Sequence, residues 1–357
     1  MCEPFKRRTP CKSASSSSFH LRSPLVKALS LCGLFSVFSL SVLPVQAQEA
    51  ATQYSVESPR AEHSLLLDVV NTGKRLVAVG DRGHVLVSDN NGQSWKQVKV
   101  PTRQLLTSMY FVDEQYGWAV GHDAQVLATT DGGNTWTLQY EDRDLEAPLL
   151  DVWFQDRDNG FAVGAYGALL VTTDGGETWE DASDRIDNED AYHLNAIASI
   201  KDSGLFVVGE MGGMFRSSDG GESFEAISDL PYEGSLFGVM GTDQPGVVLA
   251  FGLRGNLFRS TDFGDSWTQV PVSSAGNGPL EYGLASGVQL ADGTIVIVGN
   301  GGSVLRSEDG GKSFTAINRS DRLSLAGVAA AADDQLVVVG QAGADRTTAN
   351  GTSLKAQ

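Results

Sequence analysis

The chain has 357 residues, with 26 lysines and arginines against 44 aspartates and glutamates, so its formal net charge is −18 at pH 7. Such an acidic surface repels nucleic-acid phosphates and anionic lipid headgroups, so we expect no nucleic-acid partner. All three cysteines (Cys2, Cys11 and Cys32) lie near the N-terminus. The remainder of the chain can therefore form no disulfide and no cysteine metal site.

The N-terminal stretch has the composition of a targeting segment. Six lysines and arginines in residues 6–27 precede an apolar run over residues 28–45, and the small residues Val45 and Ala47 stand before Gln48. This layout predicts a signal peptide over residues 1–47 that is cleaved, leaving residues 48–357 as a periplasmic or secreted protein without membrane insertion. Its serines and its near lack of acids leave an organellar targeting sequence open, with the thylakoid lumen as the alternative location.

An eight-residue motif follows six times, with its closing aromatic residues 41 to 47 residues apart. In each copy an Asp or Asn lies two residues after a Ser or Thr, at Asn90, Asp131, Asp174, Asp219, Asp262 and Asp309. Each copy ends in an aromatic residue, at Trp95, Trp136, Trp179, Phe224, Trp267 and Phe314. The spacing suits a tight turn, in which the side-chain oxygen accepts backbone N–H groups, a glycine takes a positive φ and the aromatic residue is buried between sheets.

Each repeat carries four short strand patterns, and the second is a β-branched pentad that ends in glycine. There are seven such glycines: Gly80, Gly121, Gly164, Gly209, Gly252, Gly299 and Gly340. Seven units of four antiparallel strands predict an all-β fold, a seven-bladed β-propeller that forms a single domain over residues 48–357. After Gly340 no clear copy of the motif follows, so we expect residues 53–58 to supply the outer strand of the last blade and close the ring.

The motif resembles the Asp-box, or BNR, repeat, whose pattern is Ser/Thr-x-Asp-x-Gly-x-Thr/Ser-Trp. A hydrophobic-Gly-x-x-Gly signature precedes it at residues 79–83, 163–167, 208–212 and 251–255. Together these motifs make the chain similar to the photosystem II stability and assembly factor family. The resemblance implies an exported, non-catalytic propeller without cofactors, whose partner is a protein of a membrane complex, and it implies a structural role for the boxes.

A glycoside hydrolase, sialidase-like or xyloglucanase-like, is the alternative function. Such enzymes use paired carboxylates, and Asp68 and Asp151 occupy matching places in the innermost strands of two blades. Ser108, Asn195 and Gly238 are placed at the same position in other blades, which favours a polar ring of structural residues. The row Arg216, Arg259 and Arg306 imitates a sialidase triad, but a position that repeats in consecutive blades is more simply structural. The histidines have no metal-ligand spacing, so no metal site is predicted.

The turn after each repeated glycine varies in sequence while its frame stays constant, which is typical of recognition surfaces. We predict that these turns lie on the face opposite the Asp-boxes and bind a protein partner, with the propeller acting as a monomeric scaffold. The predicted partner-binding residues are Arg82, His122, Asp123, Tyr166, Glu210, Met211, Arg254 and Asn300.

Overall fold

A computed structural model describes residues 52–357 apart from 146, 228–231, 275–279 and 355–357. The predicted signal peptide, residues 1–47, lies outside the described residues. No helix in the described part of the chain is long and apolar enough to cross a membrane.

The described chain folds into seven sheets, which we number as blades 1–7 along the chain. Blade 1 contains β1 (Leu66–Asn71), β2 (Leu76–Gly80), β3 (Val85–Ser88) and β4 (Lys96–Val98). Blade 2 contains β5 (Leu106–Phe111), β6 (Gly117–Gly121), β7 (Val126–Thr129) and β8 (Thr137–Tyr140). Blade 3 contains β9 (Leu149–Phe154), β10 (Gly160–Gly164), β11 (Leu169–Thr172) and β12 (Glu180–Asp181). Blade 4 contains β13 (Leu194–Ile200), β14 (Gly204–Gly209), β15 (Met214–Ser217) and β16 (Glu225–Ala226).

The last three blades vary in strand number. Blade 5 contains β17 (Leu236–Gly241), β18 (Val248–Gly252), β19 (Leu257–Ser260) and β20 (Thr268–Gln269). Blade 6 contains β22 (Leu284–Gln289), β23 (Ile295–Gly299), β24 (Ser303–Ser307) and β25 (Phe314–Asn318), with β21 (Val272–Ser274) added parallel to β25. Blade 7 contains β26 (Leu325–Ala330), β27 (Gln335–Gly340) and β28 (Gly343–Thr348). The predicted all-β, seven-bladed propeller is confirmed, with four antiparallel strands in most blades.

The second strand of each blade is the centre of the core, because its apolar residues point alternately at the two neighbouring blades. In β2, Val77 and Val79 pack into a cluster shared with blade 2, whereas Leu76 and Ala78 pack into one shared with blade 7. Seven such clusters, one between each pair of neighbouring blades, hold the described chain together. The core of this protein therefore lies between sheets and runs around the ring.

Ring closure differs from the sequence-based expectation, and the predicted closing strand is not confirmed. Residues 53–58 form no strand and lie beside blade 1, where Ser55 N–H donates to the Val100 carbonyl at 2.9 Å and Ser58 N–H donates to Gln97 Oε1 at 2.8 Å. The outer edge of blade 7 is instead met by the C-terminal segment, through a bridge between Thr347 and Ser353. The ring closes by apolar packing of blade 1 on blade 7, so it needs no strand exchanged between the chain ends.

The seven repeated glycines have a steric cause. A Cβ atom built on Gly121 would lie 2.2 Å from the Leu105 carbonyl oxygen, and one on Gly340 would lie 2.1 Å from the Ser324 carbonyl oxygen. The other five glycines meet the equivalent carbonyl, just before the innermost strand of their own blade, at similarly short distances. Only glycine allows this approach, which brings the turn after the second strand onto the start of the first.

The Asp-box forms a closed set of hydrogen bonds. Asp131 Oδ1 accepts from the Thr129 hydroxyl and from Thr135 N–H, both at 2.9 Å, while its Oδ2 accepts from the Thr135 hydroxyl at 2.6 Å. The Thr129 oxygen accepts in turn from Gly133 N–H at 2.9 Å. In the sixth copy, hydrogen bonds from Ser313 and Ser307 hold the pKa of Asp309 at about 2. The carboxylates are therefore occupied in holding the turn between the third and fourth strands.

Donors from the preceding blade bind a main-chain carbonyl of the box, which joins consecutive blades. Arg216 Nη1 donates to the Phe263 carbonyl at 3.2 Å, and Arg259 Nε donates to the Gly310 carbonyl at 3.0 Å. Arg306 pairs with Glu308 of its own blade at 2.6 Å, since blade 7 carries no box for it to reach. The two arginines with a box in the next blade thus make blade-to-blade contacts, while Arg306 does not.

We predict that Trp136→Ala lowers the free energy of unfolding by about 3 to 5 kcal/mol, because this ring is buried between blades 1 and 2. Trp136 is 6% exposed and meets Phe111 edge-on at 6.1 Å, whereas Trp95 is only partly buried. Trp95→Ala should therefore cost clearly less. Urea denaturation followed by circular dichroism measures both, and equal losses would contradict the burial argument.

Candidate functional site

The turns between the second and third strands lie on the face opposite the Asp-boxes, which we call the turn face. Six of them are 3-10 turns: Asp81–Gly83, His122–Ala124, Ala165–Gly167, Glu210–Gly212, Leu253–Gly255 and Asn300–Gly302. Each is anchored on its own blade, as where Asp81 N–H donates to the Leu65 carbonyl and Glu210 N–H donates to the His193 carbonyl, both at 3.0 Å. The backbone frame is thus constant while the side chains vary.

The central residue of each turn has a positive φ. These residues are Arg82, Asp123, Tyr166, Met211, Arg254 and Gly301, with φ between 52° and 64°. For a residue with a Cβ atom this conformation costs roughly 1–2 kcal/mol, and glycine adopts it freely. Five of the six turns nevertheless hold a side chain there, and Tyr166 and Met211 are 66% and 58% exposed. Folding does not require these large side chains, which makes them candidates for binding.

The structure brings some predicted partner-binding residues together and leaves others apart. The Tyr166 ring meets the His193 ring edge-on at 5.1 Å, and His193 Nδ1 lies 3.6 Å from Glu210 Oε1, so blades 3 and 4 share one cluster. Arg82 Nε lies 3.3 Å from its neighbour Asp81, and Asp123 accepts a hydrogen bond from the Gln104 side chain. His122, Arg254 and Asn300 stand exposed on separate turns of the same face.

Several exposed apolar residues of the turn face were missed by the sequence argument. Tyr192, Phe237, Leu253 and Tyr282 are each about 40% exposed. Leu253 belongs to a turn already singled out, but Tyr192 and Tyr282 lie in the connections between blades and Phe237 lies in an innermost strand. Tyr192, Phe237 and Tyr282 could have been found from the sequence, because each is a large apolar residue close to the start of an innermost strand.

The two candidate catalytic carboxylates face the central channel, a cavity of about 550 Å³ lined by the innermost strands. Asp68 Oδ2 accepts from Met109 N–H of blade 2 at 2.9 Å, and Asp151 Oδ2 accepts from Ile197 N–H of blade 4 at 2.9 Å. The Ser108 hydroxyl donates to Asp151 Oδ1 at 2.7 Å and lies 3.4 Å from Asp68 Oδ2. Each carboxylate therefore joins its own blade to the next one.

A β-bulge shifts the register at the start of every innermost strand, which corrects one alignment made from the sequence. The position of Asp68, Ser108 and Asp151 is occupied elsewhere by Ala196, Gly238, Ser286 and Gly327. Asn195 sits one residue earlier, inside the bulge, and its Nδ2 donates to the Leu236 carbonyl of blade 5 at 2.8 Å. The polar channel residues thus occupy two positions of the strand and still serve contacts between blades.

Burial raises the pKa of both channel carboxyls, and the charge of Asp68 contributes at Asp151, whose pKa is raised to about 6. Among the described residues that line the cavity there is no lysine, arginine or histidine. Among the described residues no group of three or more His, Asp or Glu side chains is arranged to hold a metal ion.

These features define an Asp-box β-propeller. The family model described as photosynthesis system II assembly factor YCF48 matches residues 87–146 and 138–277, more than half of the chain. The chain belongs to that family.

Individual relatives resemble this chain over short sequence stretches, whereas solved structures resemble it over most of the fold. The photosystem II assembly protein Ycf48 of Thermosynechococcus vestitus is 40% identical over 42 residues, which span only 12% of this chain and 12% of that protein. A solved structure of YCF48 bound to a D1 peptide has a TM-score of 0.62 and 18% identity, covering 83% of this chain and 96% of that one. A xyloglucanase from Xanthomonas campestris has a TM-score of 0.64 and 12% identity, covering 85% of this chain and 54% of that one. At these identities the solved structures share the fold alone.

We predict a pH dependence of stability from Asp151. Because its folded pKa of about 6 exceeds its ordinary value of 3.8, the folded state binds more protons than the unfolded state between these values. The contribution of Asp151 to the free energy of unfolding is therefore largest below pH 4 and falls by about 2 to 3 kcal/mol as pH rises past 6. Asp151→Asn should reduce the pH dependence by this contribution and leave the part that comes from Asp68, measured as the difference in the free energy of unfolding in urea between pH 4.5 and 7. The exposed Asp202→Asn should keep the full pH dependence, and an unchanged pH dependence in Asp151→Asn would refute the assignment.

Proposed function

We propose that this protein is a non-catalytic scaffold that binds a subunit of a membrane complex through its turn face during assembly. The observation that carries the proposal is the set of large exposed side chains held at positive φ on four turns, Arg82, Tyr166, Met211 and Arg254. The assembly-factor family supports it, as does a D1 peptide bound to a propeller of the same fold. In this proposal residues 1–47 are cleaved as a signal peptide. The mature protein then acts as a monomer in the periplasm or outside the cell, or in the thylakoid lumen of a photosynthetic host.

A glycoside hydrolase is the weaker candidate, and the proposal takes the protein not to be an enzyme. The likeness to a xyloglucanase would favour hydrolysis, as would the raised pKa of Asp151, because a general acid needs such a pKa. Against it, Asp68 and Asp151 bind main-chain N–H groups of neighbouring blades, so their oxygens already have partners. A carboxylate that fixes the register of two strands is poorly placed to change its protonation state during a reaction.

The test replaces Arg82, Tyr166, Met211 and Arg254 together by glycine. Glycine stabilises the folded state by relieving the strain of the positive φ, and it destabilises it by raising the entropy of the unfolded chain. Because these two effects oppose each other, we expect a melting temperature close to that of the native protein. Capture of the partner from native envelope extracts should fall at least tenfold. The matched control places glycine at three positive-φ positions of the opposite face, Asn91, Asp202 and Asp333. Equal capture by both variants would refute the docking face.

A further inference from the structure

The exposed apolar side chains are concentrated on one sector of the turn face. Six of the large apolar residues that are exposed in the described chain lie on this face along four consecutive blades, 3–6, and we call this set the crescent. Its members are Tyr166, Tyr192, Met211, Phe237, Leu253 and Tyr282. Of the other exposed ones, Leu65 and Leu145 lie near the turns of blades 1 and 2, and Tyr54, Val56 and Ile317 lie outside the crescent. Exposed apolar side chains that group on one part of a monomer's surface are typical of an interaction site.

Contacts across the blades join the segments that carry the crescent residues. Tyr166 of blade 3 touches His193, next to Tyr192. The connection that enters blade 5 reaches the neighbouring turns, since Gly212 N–H donates to the Gly234 carbonyl at 3.0 Å and the Tyr232 hydroxyl donates to the Leu253 carbonyl at 3.1 Å. The Phe237 ring of blade 5 lies against blade 6, because a Cβ atom built on Gly283 would be 3.5 Å from it.

Acidic residues border the crescent on the side of blades 3–5. They are Asp187, Glu189, Asp190, Glu210 and Glu233, which we call the acidic rim. The rim lies close to the crescent, because a Cβ atom on Gly167 would meet Ala191 at 3.2 Å and one on Gly212 would meet Glu233 at 3.4 Å. Across residues 165–167, 187–193, 210–212, 232–235 and 253–255, Arg254 is the one lysine or arginine, against these five acids.

We propose that the crescent and the acidic rim together bind an apolar protein segment flanked by lysines or arginines. The inference rests on the proposed docking function and adds the chemistry of the partner. Apolar side chains of the segment cover Tyr166, Met211 and Leu253, while its cations lie against the rim. A second copy of this chain fits poorly, since it would bring the same rim and a net charge of −18 toward the first.

The rim also predicts how binding depends on salt. Exposed charges are screened beyond about 10 Å at 0.1 M ionic strength, so the cationic flanks steer association mainly at low salt. The apolar contact with the crescent is not weakened by screening. Binding should therefore fall as salt rises and level off at the affinity that the crescent alone provides.

The test uses random twelve-residue peptides displayed on phage and the purified full chain. Peptides that bind the native protein but not the crescent variant, Tyr166→Gly with Met211→Gly, should be enriched at least threefold in Lys and Arg beside apolar residues. Their binding should fall at least tenfold in 300 mM salt or in the rim variant, which carries Asp187→Asn, Glu189→Gln, Asp190→Asn and Glu233→Gln. A control neutralises four exposed acids of the opposite face, Glu177, Asp202, Glu222 and Asp333, and should keep the affinity.

The outcomes separate this inference from the docking function on which it rests. Peptides that need the crescent but lack cations, or that ignore the rim variant, overturn the partner chemistry and leave the docking face in place. Peptides that bind the crescent variant as well as the native protein contradict the docking face itself. Self-association of the native protein that the crescent variant abolishes would show that a second copy occupies the crescent and would also overturn the inference.

Discussion

The whole molecule depends on the two-sided character of its central strands. A strand such as β2 has apolar residues on both faces, so each of its faces must be covered by another sheet. A stack of sheets would leave two outer faces exposed to water, and a ring leaves none. The seven clusters between blades are the consequence, and the polar contacts, including the carboxylates of the channel and the donors to the Asp-boxes, fix how the packed blades are aligned.

The number and order of the blades could be predicted because specific residue types recur at fixed places in every blade. Glycines such as Gly121 mark the end of each central strand, and their cause is a main-chain carbonyl about 2 Å from where a Cβ atom would stand. The path of residues 53–58 could not be predicted, because main-chain pairing at a sheet edge depends little on side chains. Asn195 was placed at the channel position of Asp68 because, in the sequence, a polar residue beside that position looks the same as one at it.

The candidate site was predictable in part. Tyr166 and Met211 could be found from the sequence because their turns vary within a constant frame. That each of them sits at a positive φ could not be seen, since tyrosine and methionine are poor signals for that conformation. Phe237 and Tyr282 were missed because each comes near a turn only in the folded chain, Tyr282 beside Gly301 of its own blade and Phe237 beside Gly283 of the next blade.

The closing contact between blades 7 and 1 has a consequence for how the chain folds. Six of the seven interfaces join units that follow one another, so each blade can pack on its predecessor as soon as it is formed. The seventh interface joins the two ends of the chain, as in the hydrogen bond from Asn71 to the Ala330 carbonyl, which spans 259 residues. Nearly all of the costly loop closure is thus concentrated in one final step. We expect a partly folded intermediate to be an open arc of blades whose two end faces, the apolar sides of blades 1 and 7, remain exposed until they meet.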